Sequence, residues 1–486
     1  MAAATPQPNG DRRGLALLDR LPAHEREIAV RLAIAFADAG DRLHLVGGVV
    51  RDLLLRPGRA VDLDFATSAT PEASQRIAAA AGASSIYLVG ERFGTVGAVF
   101  GDDANRSVVE ITTYRSEHYP DESRFPVVAW GASLADDLSR RDFTANALAL
   151  DPRSGELVDP FGGEGDIALA VLRAVGDPAA RFAEDPLRLL RAARFVAQLG
   201  FRIDWATEAA MRDQATSLDR ISRERVWAEL GRLLVGDYAA AGLDLLRRTG
   251  LLAVAVPELA RLDAEGDRDL APRRNREKDL WEHTLGVVSQ SPPRLAVRWA
   301  ALLHDAAKPL TRNVDAFGEV SFFGHERVGA ELAGKALGRL KADRTTRDTV
   351  RRLVELHGRP AAYEPDWTDS AVRRLALDAG DAWDDLLDLA AADVTSGREA
   401  KRQAAAQRVA ALRDRFDRLQ QQADLARLQS PLDGDELMAI FGRGPGVWIK
   451  EVKSRLRDLV IDGDLDPDDK PRAEQIARDM LNPASG

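Results

Sequence analysis

At 486 residues the chain is long enough for two to four domains. A composition of 45% hydrophobic and 30% charged residues is ordinary for a soluble globular protein, and with no cysteine there are no disulfides, thiolate zinc sites or cysteine nucleophiles. The net charge of −10 argues weakly against nonspecific nucleic-acid binding, although arginine clustering on a surface matters more than the sum.

No apolar run approaches the roughly 20 residues that span a bilayer. The opening residues lack the apolar core of a signal peptide. The expectation is a cytoplasmic protein with no membrane contact, and residues 1–20 read as a disordered tail. From Glu25 to Ala39, Ile28, Leu32, Ile34 and Phe36 give helical apolar spacing. A short apolar strand follows, Leu43 to Val46, and then Gly47, Gly48 and a helical pattern carrying Arg51 and Asp52. Glycine lets backbone approach a ligand, and a helix N-terminus offers unpaired N–H groups to phosphate. The next strand, Ala60 to Ala66, carries Asp62 and Asp64 at i and i+2, which project from one face. Two carboxylates so placed can share divalent cations in nucleotidyl transfer. Alone, a Gly-Gly turn is usually only a turn and an Asp-x-Asp usually solvated; joined in one stretch they form a sharper signal.

The run GGVVRD followed by DLDF resembles motif A of the class II CCA-adding tRNA nucleotidyltransferases and the related bacterial poly(A) polymerases. That resemblance implies a polymerase-β-like head with Asp62 and Asp64 as catalytic Mg²⁺ ligands, and Gly47, Gly48 and Arg51 around phosphates.

Downstream, Thr70 reads as the N-cap of a helix to Ala81 with Pro71 at its first position. Strands are expected at 85–89, 95–100 and 108–113, the last carrying Glu110, which is at least as readily a plain surface residue as a third carboxylate. Residues 114–133 read as an irregular polar loop, where the resembled family has a flexible loop that affects the switch from C to A. Arg140–Leu150, RRDFTANALAL, resembles motif B: Arg141 would meet the triphosphate, Asp142 a ribose hydroxyl, and Asn146 would hold the loop. Phe182–Phe195 reads as one amphipathic helix with Arg188, Arg191 and Arg194 on a face. By resemblance to motif D, Asp185 and Arg188 would select the incoming base through its Watson–Crick edge, with Arg191 beside the nucleotide. Ile221–Leu230 resembles motif E, where Ser222, Glu224 and Arg225 would brace the neck.

A second constellation gathers four of the seven histidines with two acids: His283, His304, Asp305, His325, His357 and Asp393. A lone His on an apolar helix is commonly core, but this ordered set resembles the HD phosphohydrolase superfamily. Imidazole and carboxylate suit Mn, Ni, Co or Zn, and bound metal can activate water against a phosphoester. In related enzymes such a domain hydrolyses 2′,3′-cyclic phosphates. A long charged helix from Arg398 to Leu428 and a Gly444-Pro445-Gly446 turn before a basic helix complete the chain. That turn suits an RNA phosphate or a plain helix–turn–helix about equally.

The expected fold class is α+β: a nucleotidyltransferase head (21–150, mixed sheet plus helices), helical neck and body (151–262), linker (263–278), HD domain (279–400) and helical tail (401–486). The resemblance spans roughly 40–460 and is nearest to the HD-containing, Arg-rich actinobacterial type. It implies template-independent addition of C, C and A from CTP and ATP to tRNA. The rivals are poly(A), CC-only or A-only addition, an HD phosphohydrolase with a nucleotide-binding head, and an RNA-binding scaffold. Partners are tRNA, ATP and CTP; no oligomeric state is read from the sequence.

Overall fold

The computed structural model describes residues 12–55, 62–89, 94–102, 105–118, 127–130, 133–263, 280–394, 399–422 and 429–481. The chain divides into two compact units, Met1–Pro257 and Glu258–Gly486.

The first unit opens with helices α1 (Arg12–Leu18) and α2 (Ala23–Asp38). The expected tail is therefore shorter than 20 residues, because Leu17 and Leu18 are buried; residues 1–11 lie outside the described residues. In α2, Ile28, Leu32 and Phe36 recur every fourth residue and are fully buried, while Ile34 is left exposed. Then come β1 (Leu43–Val46), α3 (Gly48–Leu55), β2 (Leu63–Thr67), α4 (Pro71–Ala80), β3 (Ser85–Val89), β4 (Thr95–Phe100) and β5 (Ser107–Thr113). Thr70 caps α4 by accepting from the Ala73 N–H at 3.3 Å, with Pro71 at the first position, where its missing N–H costs nothing.

Strand pairing runs β3-β4-β5-β2-β1 and continues into two short strands, β8 (Ala149–Leu150) and β9 (Leu157–Val158). Only β2 and β5 pair in parallel within this sheet, in a register that sets Asp64 opposite Glu110. Beyond Tyr114, whose hydroxyl shares a 2.7 Å hydrogen bond with buried His44 Nδ1, the expected irregular loop is partly ordered. Strands β6 (Arg115–His118) and β7 (Val127–Trp130) pair antiparallel. The run Val-Val-Ala-Trp favours a pleated partner over coil, and residues 119–126 lie outside the described residues.

Helix α5 (Leu134–Ser139) precedes β8, and α6 (Gly163–Ala168) and β10 (Val171–Leu172) follow β9. The helical neck and body comprise α7 (Pro178–Glu184), α8 (Leu187–Leu199), the short strand β11 (Arg202–Ile203), α9 (Trp205–Asp213), α10 (Arg223–Leu234), α11 (Ala239–Arg248) and α12 (Leu251–Ala255). The single helix expected over 182–195 is two. Pro186 disfavours helical geometry at the residue before it, and Asp185 is extended (φ −140°, ψ 99°), so α7 stops there and α8 restarts.

The second unit is helical. Its core is built by α13 (Leu280–Gln290), α14 (Leu295–Leu303), the one-turn α15 (Lys308–Thr311), a small hairpin β12 (Asn313–Val314)/β13 (Val320–Ser321), α16 (His325–Arg339), α17 (Arg344–Leu356), α18 (Gly358–Ala361), α19 (Asp369–Ala379) and α20 (Trp383–Ala392). Trp299, Leu302, Leu353, Val354, Leu386 and Leu389 are essentially without solvent contact, so the bundle has a dry centre. The charged helix α21 (Glu399–Gln422) follows, and α22 (Gly434–Phe441), α23 (Val447–Asp462) and α24 (Lys470–Leu481) close a separate small core around Leu437, Val452, Leu456 and Val460. The expected linker lies outside the described residues, apart from Asp263 at the end of a 3₁₀ segment.

No described helix is long and apolar enough to cross a membrane.

Candidate functional site

Asp62 is exposed, immediately before β2, and Asp64 is half-buried on β2; residues 60–61 of the expected strand lie outside the described residues. Asp64 and Glu110 are register partners, so the weighed third carboxylate is brought to the pair by parallel strand pairing. Burial, then the charge of Glu110, then a smaller contribution from Asp62 raise the Asp64 pKa from 3.8 to about 6, against the pull of Arg141. A carboxylate so disfavoured gains from a bound cation. All three acids offer oxygen, the donor type that hard divalent ions take.

Gly47 has φ 76°, a backbone conformation that favours glycine, and a Cβ there would lie 2.7 Å from Arg141 Nη1, so that guanidinium would have to move aside. Gly48 starts α3, which brings Arg51 inward. Arg51 donates to Asn146 Oδ1 at 2.6 Å and to Asp52 Oδ1 at 2.9 Å. Asn146 in turn donates to Asp142 Oδ1 at 3.1 Å. Asp142 is buried and receives Arg191 Nε at 2.7 Å. Burial alone would lift its pKa, but Arg191 and the Asn146 amide outweigh it and hold Asp142 down at about 2. Arg141 donates to Asp137 Oδ2 at 3.1 Å and Arg140 to Asp137 Oδ1 at 2.6 Å. Asp137, fully buried, is kept ionised by those two guanidinium groups against its burial.

The expected base-reading pair is divided between helices. Asp185 ends α7, accepts from the Leu187 N–H at 3.1 Å and from Arg225 Nη2 at 3.2 Å. Arg188, in the first turn of α8, donates to Glu184 Oε2 (2.7 Å), to the Arg181 carbonyl (2.9 Å) and to the Arg140 carbonyl (2.7 Å). Arg225 of the expected neck brace thus bears directly on Asp185. Sequence reasoning passed over Asp137 and Glu184. Asp137 was findable, three and four residues before Arg140 and Arg141 at the end of α5; Glu184 meets Arg188 across the break at Asp185 and Pro186.

In the second unit all six residues of the His/Asp set are in one cluster, and four of them occupy helix ends. His304, His357 and Asp393 terminate α14, α17 and α20, and His325 begins α16; only His283 is inside a helix, α13. His304, His325 and His357 each pair Nδ1 with a backbone carbonyl, of Ala301 (2.8 Å), Phe322 (2.9 Å) and Val354 (2.7 Å). A carbonyl only accepts, so Nδ1 carries the proton in each ring and Nε2 is turned to the centre. His283 Nε2 is 3.3 Å from Asp305 Oδ2 and 3.0 Å from Asp393 Oδ1; His304 Nε2 is 3.2 Å from Asp305 Oδ2.

Asp305 Oδ1 is buried without a hydrogen-bond partner, 3.5 Å from His325 Nε2 and 3.9 Å from His357 Nε2. Two donor groups that could each hold an ion therefore share Asp305: His283/His304/Asp305 and Asp305/His325/His357. An orphaned carboxylate oxygen ringed by imidazole Nε2 atoms fits a borderline divalent metal. Burial opposes charge on His304, yet Asp305 and Asp393 raise its pKa to about 10, whereas burial and the neighbouring His304 lower His357 to about 4. Lys308, which sequence reasoning missed, donates to Asp305 Oδ2 at 2.7 Å.

Three family models match along the chain: the poly A polymerase head domain over 43–173, the probable RNA and SrmB-binding site of polymerase A over 200–262, and the HD domain over 280–419. The chain is 36% identical over 451 residues to the A-adding tRNA nucleotidyltransferase of Deinococcus radiodurans, covering 88% of this chain and 94% of that protein. It is 32% identical over 429 residues to a CCA-adding enzyme of Geobacillus sp., covering 88% and 90%. Among solved structures, the Bacillus stearothermophilus CCA-adding enzyme in complex with CTP superposes with a TM-score of 0.66 at 26% identity, over 94% of this chain and 99% of that one.

Proposed function

The chain belongs to the class II CCA-adding tRNA nucleotidyltransferase family, and on that premise we propose that it adds CMP, CMP and AMP from CTP and ATP to tRNA 3′ ends without a nucleic-acid template. The observation that carries the chemistry is Asp64 opposite Glu110, with Asp62 two residues before it and Arg141 close enough to oppose the rise in the Asp64 pKa. Asp62, Asp64 and Glu110 would hold Mg²⁺, which when bound supplies activation of the attacking hydroxyl and neutralisation of triphosphate charge. The residues do the rest. Gly47 and Gly48 let the phosphates come close to backbone, and Arg51 and Arg141 present guanidinium groups already oriented by Asn146 and Asp137. Asp142, fixed by Arg191 and Asn146, offers an anionic acceptor to a ribose hydroxyl. Asp185 accepts from, and Arg188 donates to, the Watson–Crick edge of the base, so that side chains act as the template. Arg188 would exchange Glu184 for the base when a nucleotide arrives.

The six-residue cluster of the second unit would hold a divalent transition metal, whose contribution is a water made nucleophilic toward a phosphoester such as a 2′,3′-cyclic phosphate. Lys308, tied to Asp305, is the cation at hand for the phosphate.

A second reading, A-only addition, draws on the Deinococcus relative, whose name states that activity. Incorporation of labelled CTP and ATP into tRNA transcripts ending before CCA, after C and after CC separates the two. Addition of C, C and A followed by a stop supports the first reading. Addition only to the transcript ending in CC supports the second. Equal incorporation by wild type and Asp62→Ala would refute both.

A further inference from the structure

The two faces of the head sheet differ. On β5, Val109 and Ile111 project to one face and are fully buried, while Val108 and Glu110 project to the other and are exposed. Strand register extends that open face outward from the metal-binding acids. Asp64 pairs with Glu110, Glu110 with Gly97, and Gly97 with Tyr87 on the edge strand β3. Directly paired residues share a face, so these four form one row across four strands. Gly97 leaves a gap in the row, and the Tyr87 ring fills it: a Cβ at 97 would lie 2.5 Å from both Cε2 and Cζ of Tyr87. Paired Cβ positions are about 5 Å apart, which puts those ring carbons within about 8 Å of the Glu110 Cβ. The ring thus lies along the row toward Glu110, yet Tyr87 is still 43% exposed.

Sheet order says which substrate that ring meets. Strand β2, with Asp64, has β5 on one side and β1 on the other. The phosphate cradle is on the β1 side: Gly47 and Gly48 follow β1, and Arg141 Nη1 is 2.7 Å from the Cβ position of Gly47. In phosphoryl-type transfer the attacking and leaving oxygens are roughly in line, on opposite sides of the phosphorus. With the leaving pyrophosphate on the β1 side, the attacking hydroxyl and its nucleoside arrive from the β5 side, over Glu110 and Tyr87.

We propose that Tyr87 is a stacking platform for the 3′-terminal base of the RNA strand that supplies the attacking hydroxyl, so that it orients the acceptor end and not the incoming nucleotide. The proposal rests on nucleotidyl transfer by the head. Stacking on an aromatic ring tolerates any base, which suits an end whose last base changes as nucleotides are added.

The test is a two-by-two cycle on the full chain with Mg²⁺ and ATP. It uses a tRNA transcript ending in CC and the same transcript with an abasic 3′-terminal residue. Removing the base should lower wild-type kcat/KM for the transcript about tenfold, through KM. Tyr87→Leu keeps an apolar side chain beside Gly97; it should lose the same factor on the normal transcript and almost nothing more on the abasic one. Tyr87→Phe, which keeps the ring, should restore the dependence on the base. An unchanged KM for the normal transcript in Tyr87→Leu overturns the proposal. So does an equal cost of base removal in Tyr87→Leu and wild type, or a rise in KM for ATP alone. Dissociation constants of the two transcripts, from filter binding, complete the same cycle without turnover. If the wild type incorporates no nucleotide, the transfer reading fails, and the ratio of those constants alone upholds or overturns the platform.

Discussion

Asp64 is more costly to ionise in the folded protein than in the unfolded chain, and this can be measured without any catalysis. Its pKa rises from 3.8 to about 6, chiefly through burial and then through Glu110 across the strand pair. A difference of about 2 units at about 1.36 kcal/mol each sets a ceiling near 3 kcal/mol. Partial solvent access discounts this to about 1–3 kcal/mol. The sign follows from proton linkage: between pH 3.8 and about 6 the folded state binds more protons than the unfolded state, so stability falls as pH rises through that window. Asp64→Asn removes the charge with little change in shape. At pH 7.5 without divalent metal it should stabilise the first unit by about 1–3 kcal/mol, an increase of roughly 3–10 °C in its melting transition. Near pH 4 the advantage should disappear. Mg²⁺ should raise the wild-type transition, by about 1–3 kcal/mol at 10–100 times its dissociation constant, and leave Asp64→Asn nearly unmoved. Scanning calorimetry at pH 4, 6 and 7.5 with and without Mg²⁺ provides the data. A metal-free Asp64→Asn protein that is less stable at pH 7.5, or equally stabilised at pH 4, would refute the reasoning.

Asp142 carries the opposite sign. With its pKa held at about 2, its contribution is complete above the unfolded value near 3.8 and is lost as pH falls through about 2, and Asp142→Ala should cost about 1–3 kcal/mol by leaving the half-buried Arg191 without its carboxylate, read by urea denaturation at pH 7. Gly47→Ala should lower stability by at least about 1 kcal/mol and raise KM for CTP and ATP together, because the new methyl strains the left-handed backbone and displaces Arg141; an unchanged KM would separate that arginine from the triphosphate. In the second unit, Asp305→Asn should abolish tight Mn²⁺ binding measured by equilibrium dialysis, since both donor groups share this carboxylate. Metal loading of the wild type should release a proton from His304, whose pKa stands at about 10, so affinity should climb with pH between 6 and 9.

The local parts of the sites were legible in the sequence. Gly47-Gly48, Asp62/Asp64 and Arg141-Asp142 stand out because the proposed chemistry asks for those residue types at short spacing. The six residues of the His/Asp cluster were also legible as a set, although they span more than a hundred residues, because so few histidines occur elsewhere. Other features depended on contacts that spacing cannot encode. Glu110 became a partner of Asp64 only through the parallel register of β2 and β5, which forms over a long crossover. The division of Asp185 from Arg188 was signalled by Pro186, but apolar periodicity on both sides carried the helical reading across it. The arm β6/β7 was masked by polar residues in its neighbourhood, and its pairing is a local match between two four-residue segments.

The guanidinium groups around the head site have one more consequence. Arg51, Arg141, Arg188 and Arg191 each already hold an oxygen of Asn146, Asp137, Glu184 or Asp142. Together they behave like a loaded ion-exchange resin, with high capacity but little free charge to advertise. On the proposed function, a triphosphate would gain these cations only by exchanging with the partners they already hold. A chain of net charge −10 can in this way handle highly anionic molecules while remaining nonadhesive toward the bulk nucleic acid around it.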